Sequence, residues 1–202
     1  MSSAAIARIP LAQYLADEAG SLAKHEWLDG AVVAMAGGTP EHSLLKTRLS
    51  NTLGWALRGR PCQPFDSDLR VVTPSGLHTY PDLTVVCGAF HPHADDADAC
   101  VNPTALFEVL SPNTATYDRT EKFDHYASIA GLLAYILVDS VRVRVEVWTR
   151  TDSETWAQRR FGSGKRFQIP PLNVELAVDD VYAGWAELRE QLAASRNGAA
   201  GG

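Results

Sequence analysis

The sequence lacks a long apolar run. No stretch of about 18 consecutive apolar residues, the length that a membrane-spanning helix needs, occurs in its 202 residues. The first twenty residues also lack the apolar core of a secretion signal. We therefore expect a folded cytoplasmic protein that makes no contact with a membrane.

Cysteine is scarce. The chain has three, at Cys62, Cys87 and Cys100. An odd number at wide spacing, with no CxxC pair, argues against a disulfide framework and against a zinc ribbon. We expect three ordinary reduced thiols.

Positive charge is also in short supply. Lysine and arginine total 18 against 24 aspartate and glutamate residues, which gives a formal net charge of −6. A protein that grips nucleic-acid phosphates usually carries a basic surface, so this total argues against a broad binding face. The total does not exclude a local nucleic-acid site, because a metal centre at such a site would itself use carboxylates. The nearest basic cluster (Lys46, Arg48, Arg58 and Arg60) is read equally well as a solvated helix face.

What is present fits a globular chain. Hydrophobic residues make up 46% and charged residues 21%, which is close to the average for folded domains. The length suits one domain, and we assign it to residues 1–194, with 195–202 as a flexible tail. The order of apolar patterns predicts an α+β fold with a central mixed β-sheet flanked by helices.

The patterns place the main elements. Asp29-Gly30 predicts the turn of a β-hairpin. A helix over about 41–58 carries His42 on the same stripe as Leu45, Leu49 and Leu53. Further elements are predicted as strands around 62–72, 80–87 and 104–110, an exposed loop over 88–102, a helix over 118–130 that begins with Asp118 as its cap, four more strands and a final helix near 179–194.

Three titratable residues stand where burial is costly: His42 on the core stripe of its helix, Asp82 at the head of a strand, and Glu108 inside the apolar strand "ALFEVL". A lone buried carboxylate costs several kcal/mol unless it is paired, protonated or bound to a metal. If the two strands pair in register, Asp82 and Glu108 converge. Oxygen ligands of this kind suit Mg²⁺ or Mn²⁺.

The helix after Glu108 adds positive charge. Lys122 shares an inner face with Tyr126 and Ile129, and Arg119 leans the same way from the first turn. A cation there could neutralise charge that develops on a phosphoryl group. Each residue also has a plain structural reading: a turn cap for Asp82, a buried ion pair for Glu108 with Lys122 or Arg119, a snorkelling Lys122, and a core histidine at position 42.

The order of the motifs "PEHSLL", "YPDLTVV", "FEVLSPNTATYDRTEKFDHY" and "AYILVD" resembles a bacterial family of putative restriction endonucleases (Uma-type, cyanobacteria-rich) in the PD-(D/E)XK nuclease superfamily. The resemblance runs from about residue 11 to 185. It implies a restriction-endonuclease-like fold in which Asp82, Glu108 and the Val109 carbonyl hold Mg²⁺. Leu110 stands where the superfamily usually has lysine, and Lys122 matches the helix lysine of the family's own variant.

The resemblance also implies that His42 is a further ligand or base; its neighbour Glu41 lies off the helix stripe. Glu26 and Tyr126 could line the cleft, but a structural role is the favoured expectation for both. We therefore expect a Mg²⁺-dependent DNA endonuclease with Asp82, Glu108, Lys122 and His42 as its catalytic residues, able to act as a homodimer when it cuts two strands. Two alternatives stay open: a catalytically inactive nucleic-acid or protein-binding module on the same fold, and an enzyme acting on a small phosphate ester.

Overall fold

A computed structural model describes residues 8–35 and 37–199. The helices are α1 (Leu11–Ala19), α2 (Pro40–Ala56), α3 (Ala115–Arg119), α4 (Glu121–Ala127), α5 (Val178–Val181) and α6 (Trp185–Ala199), with a 3₁₀ turn at Pro170–Leu172. The strands are β1 (His25–Leu28), β2 (Ala31–Ala34), β3 (Cys62–Asp66), β4 (Arg70–Val72), β5 (His78–Thr79), β6 (Leu83–Cys87), β7 (Pro92–His93), β8 (Asp96–Cys100), β9 (Ala105–Leu110), β10 (Ala134–Asp139), β11 (Val145–Arg150), β12 (Trp156–Phe161), β13 (Arg166–Ile169) and β14 (Val174–Ala177).

The strands form two mixed sheets and one small pair. The central sheet has the order β12-β11-β10-β9-β6-β3, and its only parallel neighbours are β9 and β10. The second sheet has the order β2-β1-β5-β4-β8-β7, and β13 pairs with β14. The predicted α+β fold with a mixed central sheet is thereby confirmed.

Strand β9 lies at the centre of the core and is buried on both faces. Phe107 and Val109 face the helix α2, where Leu45, Leu49 and Leu53 are fully buried. Leu106 and Leu110 face the opposite layer, which includes Tyr126 of α4 and Tyr135 of β10. Each such side chain contributes about 1.5–3 kcal/mol by leaving water. Glu108 points to this second layer because side chains alternate along a strand.

Local chemistry explains the two elements that border the site. At the β1–β2 turn, Asp29 has φ 51° and Gly30 has φ 85°, as a two-residue hairpin loop requires, and the predicted hairpin is confirmed. Helix α2 begins where Thr39 caps it: the Thr39 hydroxyl accepts the His42 N–H, and Pro40 takes the first helical position, where its missing N–H costs nothing.

The segment 88–102 differs from its prediction as an exposed loop. It contains β7 and β8, and β8 pairs in parallel with β4, with Cys100 opposite Val71. Ala99 and Cys100 are fully buried. The polar residues of "DDADAC" concealed these strands, since strands near a sheet edge tolerate charged side chains.

The predicted helix over 118–130 is also corrected. It is divided at Thr120, whose φ of −123° and ψ of −96° interrupt α3 and α4. Asp118 is therefore not a cap. It lies inside α3, is 4% exposed, and its own N–H donates to the Thr114 carbonyl. Asp118 lies four residues before Lys122, and its Oδ1 is 3.9 Å from the Lys122 Nζ.

The expectation of three reduced thiols is wrong. Cys62 and Cys87 lie directly opposite each other on β3 and β6 and form a disulfide, while Cys100 is a buried free thiol. A spacing of 25 residues gave no sign of this contact, because strand pairing creates it.

At the chain's end, α6 runs to Ala199, beyond the predicted helix end near residue 194, and residues 200–202 lie outside the described part. Strand β13 has no counterpart in the sequence-based prediction. Within residues 8–35 and 37–199, each helix is too short or too polar to cross a membrane.

Candidate active site

The two predicted carboxylates meet where the β6–β9 pairing ends. Leu83 pairs with Phe107, so the antiparallel register places Asp82 opposite Glu108. The Asp82 N–H donates to Glu108 Oε2 at 3.3 Å, and the Val109 N–H donates to Asp82 Oδ2 at 2.8 Å. The end of the strand pair thus frees a backbone amide that orients Asp82.

The Val109 carbonyl shares this position. In a strand, the N–H and C=O of one residue point to the same side. Because the Val109 N–H points to Asp82, its carbonyl oxygen faces the same side of β9, and Val109 lines the cleft with both carboxylates. Two carboxylates and one carbonyl are therefore grouped where the pairing of β6 with β9 ends.

His42 reaches this group from the first turn of α2. Its Nε2 lies 3.1 Å from Asp82 Oδ2. Burial alone would lower the pKa of His42, but the hydrogen bond and charge of Asp82 raise it above its usual 6.5. Gly38 lets the ring lie close to the backbone, since a Cβ there would fall 2.6 Å from Nδ1. His42 is thus packed as a partner of Asp82.

Lys122 is buried beside Glu108. Only 4% of the residue is exposed. Its Nζ lies 2.9 Å from Glu108 Oε1, 3.1 Å from Glu26 Oε1 and 3.9 Å from Asp118 Oδ1. Burial alone would lower the pKa of Lys122, but the three carboxylates raise it well above 10.5. The lysine is therefore a fixed positive charge inside the cleft.

The sequence favours structural roles for Glu26 and Tyr126 and leaves a place in the cleft open for both, and the structure puts both in contact with the charged group. The Tyr126 hydroxyl donates to Glu108 Oε1 at 2.8 Å. Glu26 contacts Lys122 and accepts hydrogen bonds from Thr79 and from the Tyr117 hydroxyl. No local pattern could have found Glu26, because β1 meets α4 only through the tertiary fold.

Arg119 lies elsewhere than expected. Its guanidinium is 2.8 Å from Glu146 of β11 and 3.8 Å from Asp139 of β10, so it pairs with carboxylates of these two strands and not with Glu108. Of the two lysine or arginine residues predicted to lie on the inner face of this segment, Lys122 is the one that enters the cleft.

The cleft has an excess of negative charge. Its volume is about 540 Å³, and its lining includes four carboxylates, Glu26, Asp82, Glu108 and Asp118, together with Lys122 and His42. Burial raises the pKa of Glu108 to about 8, because Lys122 only partly offsets the lost hydration. Burial also raises the pKa of Asp118. For Asp82, burial is outweighed by the hydrogen bonds from His42 and Val109, which hold its pKa below its usual value.

These donors fit a hard divalent cation. Within the described residues, no hydrogen bond reaches Asp82 Oδ1, and Glu108 Oε2 accepts only the long bond from the Asp82 N–H. Both atoms can therefore accept a cation that prefers oxygen. No three His, Cys, Asp or Glu side chains of residues 8–35 and 37–199 form a ready cage. Asp82, Glu108 and the Val109 carbonyl do not require one, whereas His42, which the resemblance gives as a further ligand or base, would be the third such side chain.

Comparisons with known proteins agree with this architecture. The model of the Uma2 family, described as putative restriction endonuclease, matches residues 11–179. The uncharacterized protein slr1290 of Synechocystis sp. is 32% identical over 186 residues, which cover 91% of this chain and 96% of that protein. A second uncharacterized protein of the same organism, sll1609, is 32% identical over 148 residues, which cover 72% of this chain and 82% of that protein.

A solved structure shares the fold. The crystal structure of a putative nuclease belonging to DUF820 from Anabaena variabilis superimposes with a TM-score of 0.71 at 17% identity. The match covers 88% of this chain and 98% of that one. The predicted restriction-endonuclease-like fold is confirmed.

Proposed function

The chain belongs to the Uma2 family of putative restriction endonucleases, and from this premise we propose that it is a metal-dependent nuclease that hydrolyses phosphodiester bonds in DNA. The observation that carries the proposal is the juxtaposition of Asp82 and Glu108 where the pairing of β6 with β9 ends, with the buried Lys122 2.9 Å from Glu108. An acid that burial makes difficult to ionise, placed beside a second acid in an open cleft, is typical of a functional site.

In this proposal Asp82 Oδ1, Glu108 Oε2 and the Val109 carbonyl hold a Mg²⁺ or Mn²⁺ ion. When bound, such an ion polarises the phosphate and lowers the pKa of a bound water. The Val109 amide and His42 keep Asp82 in place, and Tyr126 does the same for Glu108. The geometry of the two acids is thereby fixed before a ligand arrives.

Lys122 has the role of stabilising charge. Its ammonium is held by three carboxylates, and it lines the cleft from α4. We assign to it the neutralisation of negative charge that develops on the phosphoryl oxygens. Leu110, at the position where the superfamily usually has lysine, is buried in the core and cannot supply this charge.

His42 fits an orienting role better than a role as a base. Its Nε2 is bound to Asp82, and its Nδ1 lies against Gly38. A water-activating base needs a free ring nitrogen that points to the water. We therefore assign to His42 the positioning of Asp82, with no direct part in proton transfer.

The direct test is cleavage of plasmid DNA with Mg²⁺ or Mn²⁺. We expect the wild-type chain to cut, and Asp82→Ala, Glu108→Ala and Lys122→Met to lose at least about a hundredfold in rate, as is usual when a charge-stabilising group is removed. Glu121→Gln is the matched control, because Glu121 neighbours Lys122 on α4 but is exposed. Cleavage that survives in Asp82→Ala would remove these residues from the chemistry.

One observation favours a second candidate. Lys122 and Tyr126 already satisfy one oxygen of Glu108 without a metal, as would suit an inactive nucleic-acid or protein-binding module on this fold. Calorimetric titration with Mn²⁺ separates the two functions. Uptake of Mn²⁺ that disappears in Asp82→Ala supports the nuclease, and no uptake by the wild-type chain supports the binding module.

A further inference from the structure

The cleft has two unlike sides. Asp82, Glu108, Asp118 and Lys122 form one side. The β1–β2 hairpin, which also carries Glu26, forms the other with five apolar residues: Leu28, Ala31, Val33, Ala34 and Met35. We call these five residues the hairpin wall. Every residue of β2 is exposed, and Val33 has 60% of its surface in water. Neighbouring exposed apolar residues at the mouth of a cleft indicate a surface that contacts a ligand.

The charge of the cleft lining suits a ligand that brings few phosphates into the cleft. Among the described residues that line the cleft, the only basic side chains are Lys122 and His42, against four carboxylates. Both are already engaged, Lys122 with Glu108 and His42 with Asp82. A protein that binds DNA by its backbone, duplex or single-stranded, neutralises several phosphates with lysine and arginine, so a cleft without them has to gain affinity from contacts to the base. The lining has no such row of cations.

The size of the cleft also favours a small ligand over a duplex. Its volume of about 540 Å³ is that of a pocket for a small molecule, and a single nucleotide is a ligand of this size. Nucleases and other enzymes that accept an unpaired base pack its flat face against apolar or aromatic side chains. The hairpin wall offers such an apolar surface in the same cleft as the two acids.

We propose that the substrate is an unpaired DNA strand, with one base packed on the hairpin wall while the neighbouring phosphate reaches Asp82 and Glu108. This inference rests on the proposed nuclease function. In a paired duplex the bases face each other and are stacked, so the wall gains this contact only where the strand is single or opened. The proposal therefore makes the hairpin wall the selector for unpaired nucleotides.

Binding of labelled oligonucleotides, followed by fluorescence anisotropy, tests the proposal separately from cleavage. The same sequence is used as a single strand and as a full duplex, in Ca²⁺, an ion that prefers oxygen ligands and offsets the negative charge of the cleft. We expect the single strand to bind at least about tenfold more tightly, because only an unpaired base can take the apolar hairpin wall out of water. Duplex binding that is equal or tighter would overturn the proposal.

Val33→Asn is the diagnostic variant and Leu133→Asn its matched control. Both positions are exposed apolar residues, with 60% and 38% of their surface in water, so both variants should fold. Leu133 does not line the cleft. It lies just before β10, whereas the residue of β10 that pairs with Glu108 is Leu137, further along the strand, so Leu133 is away from the site. We expect Val33→Asn to weaken single-strand binding about fivefold and to leave duplex binding unchanged. Equal effects of the two variants would refute the role of the wall.

The outcomes distinguish the inference from the function on which it rests. Preferred single-strand binding that depends on Val33, without cleavage in Mg²⁺ or Mn²⁺, supports the hairpin wall and refutes the nuclease. Metal-dependent plasmid cleavage combined with equal binding of both DNA forms supports the nuclease and overturns the inference.

Discussion

Replacement of Glu108 by glutamine separates a metal ligand from an ordinary buried ion pair. In the absence of metal, burial raises the pKa of Glu108 from 4.5 to about 8. Between these values the folded state binds more protons than the unfolded state, so Glu108 makes the protein less stable as pH rises through this window. The variant Glu108→Gln has no charge to desolvate, and it can keep the hydrogen bonds from Tyr126 and Lys122.

The magnitude follows from the same numbers. One pKa unit corresponds to about 1.36 kcal/mol, so the full shift is worth on the order of 4–5 kcal/mol at pH 8. Loss of the charge attraction to Lys122 offsets part of that gain. We therefore expect Glu108→Gln to be more stable than the wild-type chain by about 1–3 kcal/mol at pH 8, and by less than about 1 kcal/mol at pH 5, where the carboxyl is close to its unfolded pKa.

The assay is urea unfolding in EDTA at pH 5 and pH 8. Glu146→Gln serves as the control, because Glu146 is also buried (1% exposed) but pairs closely with Arg119, outside the cleft. Its loss leaves the guanidinium poorly partnered and should destabilise the protein at both pH values. If Glu108→Gln destabilises the protein as Glu146→Gln does, Glu108 is a satisfied structural partner of Lys122 and the reasoning fails.

Three further predictions concern single residues. Gly38→Ala would put a Cβ 2.6 Å from His42 Nδ1. Because the ring would have to move, we expect cleavage to be about tenfold slower, with little change in stability to urea. Full activity would contradict the orienting role of His42. Burial lowers the pKa of His78 to about 4. The folded state therefore binds fewer protons than the unfolded state between about pH 4 and 6.5, and the free energy of unfolding falls as pH drops through this range. Between pH 7 and pH 4 the free energy of unfolding should fall by about 2–3 kcal/mol less in His78→Phe than in the wild type, and equal losses would disprove the prediction. Tyr126→Phe removes the hydroxyl donor to Glu108 and should lower stability by about 1–2 kcal/mol in chemical unfolding, whereas an unchanged stability would show that this bond contributes nothing.

Sequence patterns found the elements whose signals are local. Asp29-Gly30 identified the hairpin, and the spacing of Leu45, Leu49 and Leu53 identified α2 and its core face. Glu108 was recognised because a charge inside the apolar "ALFEVL" strand is costly. In each case the deciding property, a positive φ, a helical period or a desolvated charge, belongs to neighbouring residues.

Sequence patterns failed where tertiary contacts decide. The Cys62–Cys87 disulfide depends on the pairing of β3 with β6, and β8 depends on β4 to complete its ladder. Glu26 lies far along the chain from Lys122, so its contact with that lysine had no local signature. The break at Thr120 was also missed.

The central claim is that a divalent cation lies between Asp82 and Glu108. A crystal soaked in Mn²⁺ and measured at a wavelength where manganese scatters anomalously tests this most directly. We predict one anomalous peak in contact with Asp82 Oδ1, Glu108 Oε2 and the Val109 carbonyl, at the oxygen distances of a hard ion. Both carboxylates with their present partners unchanged and no peak between them would contradict the account.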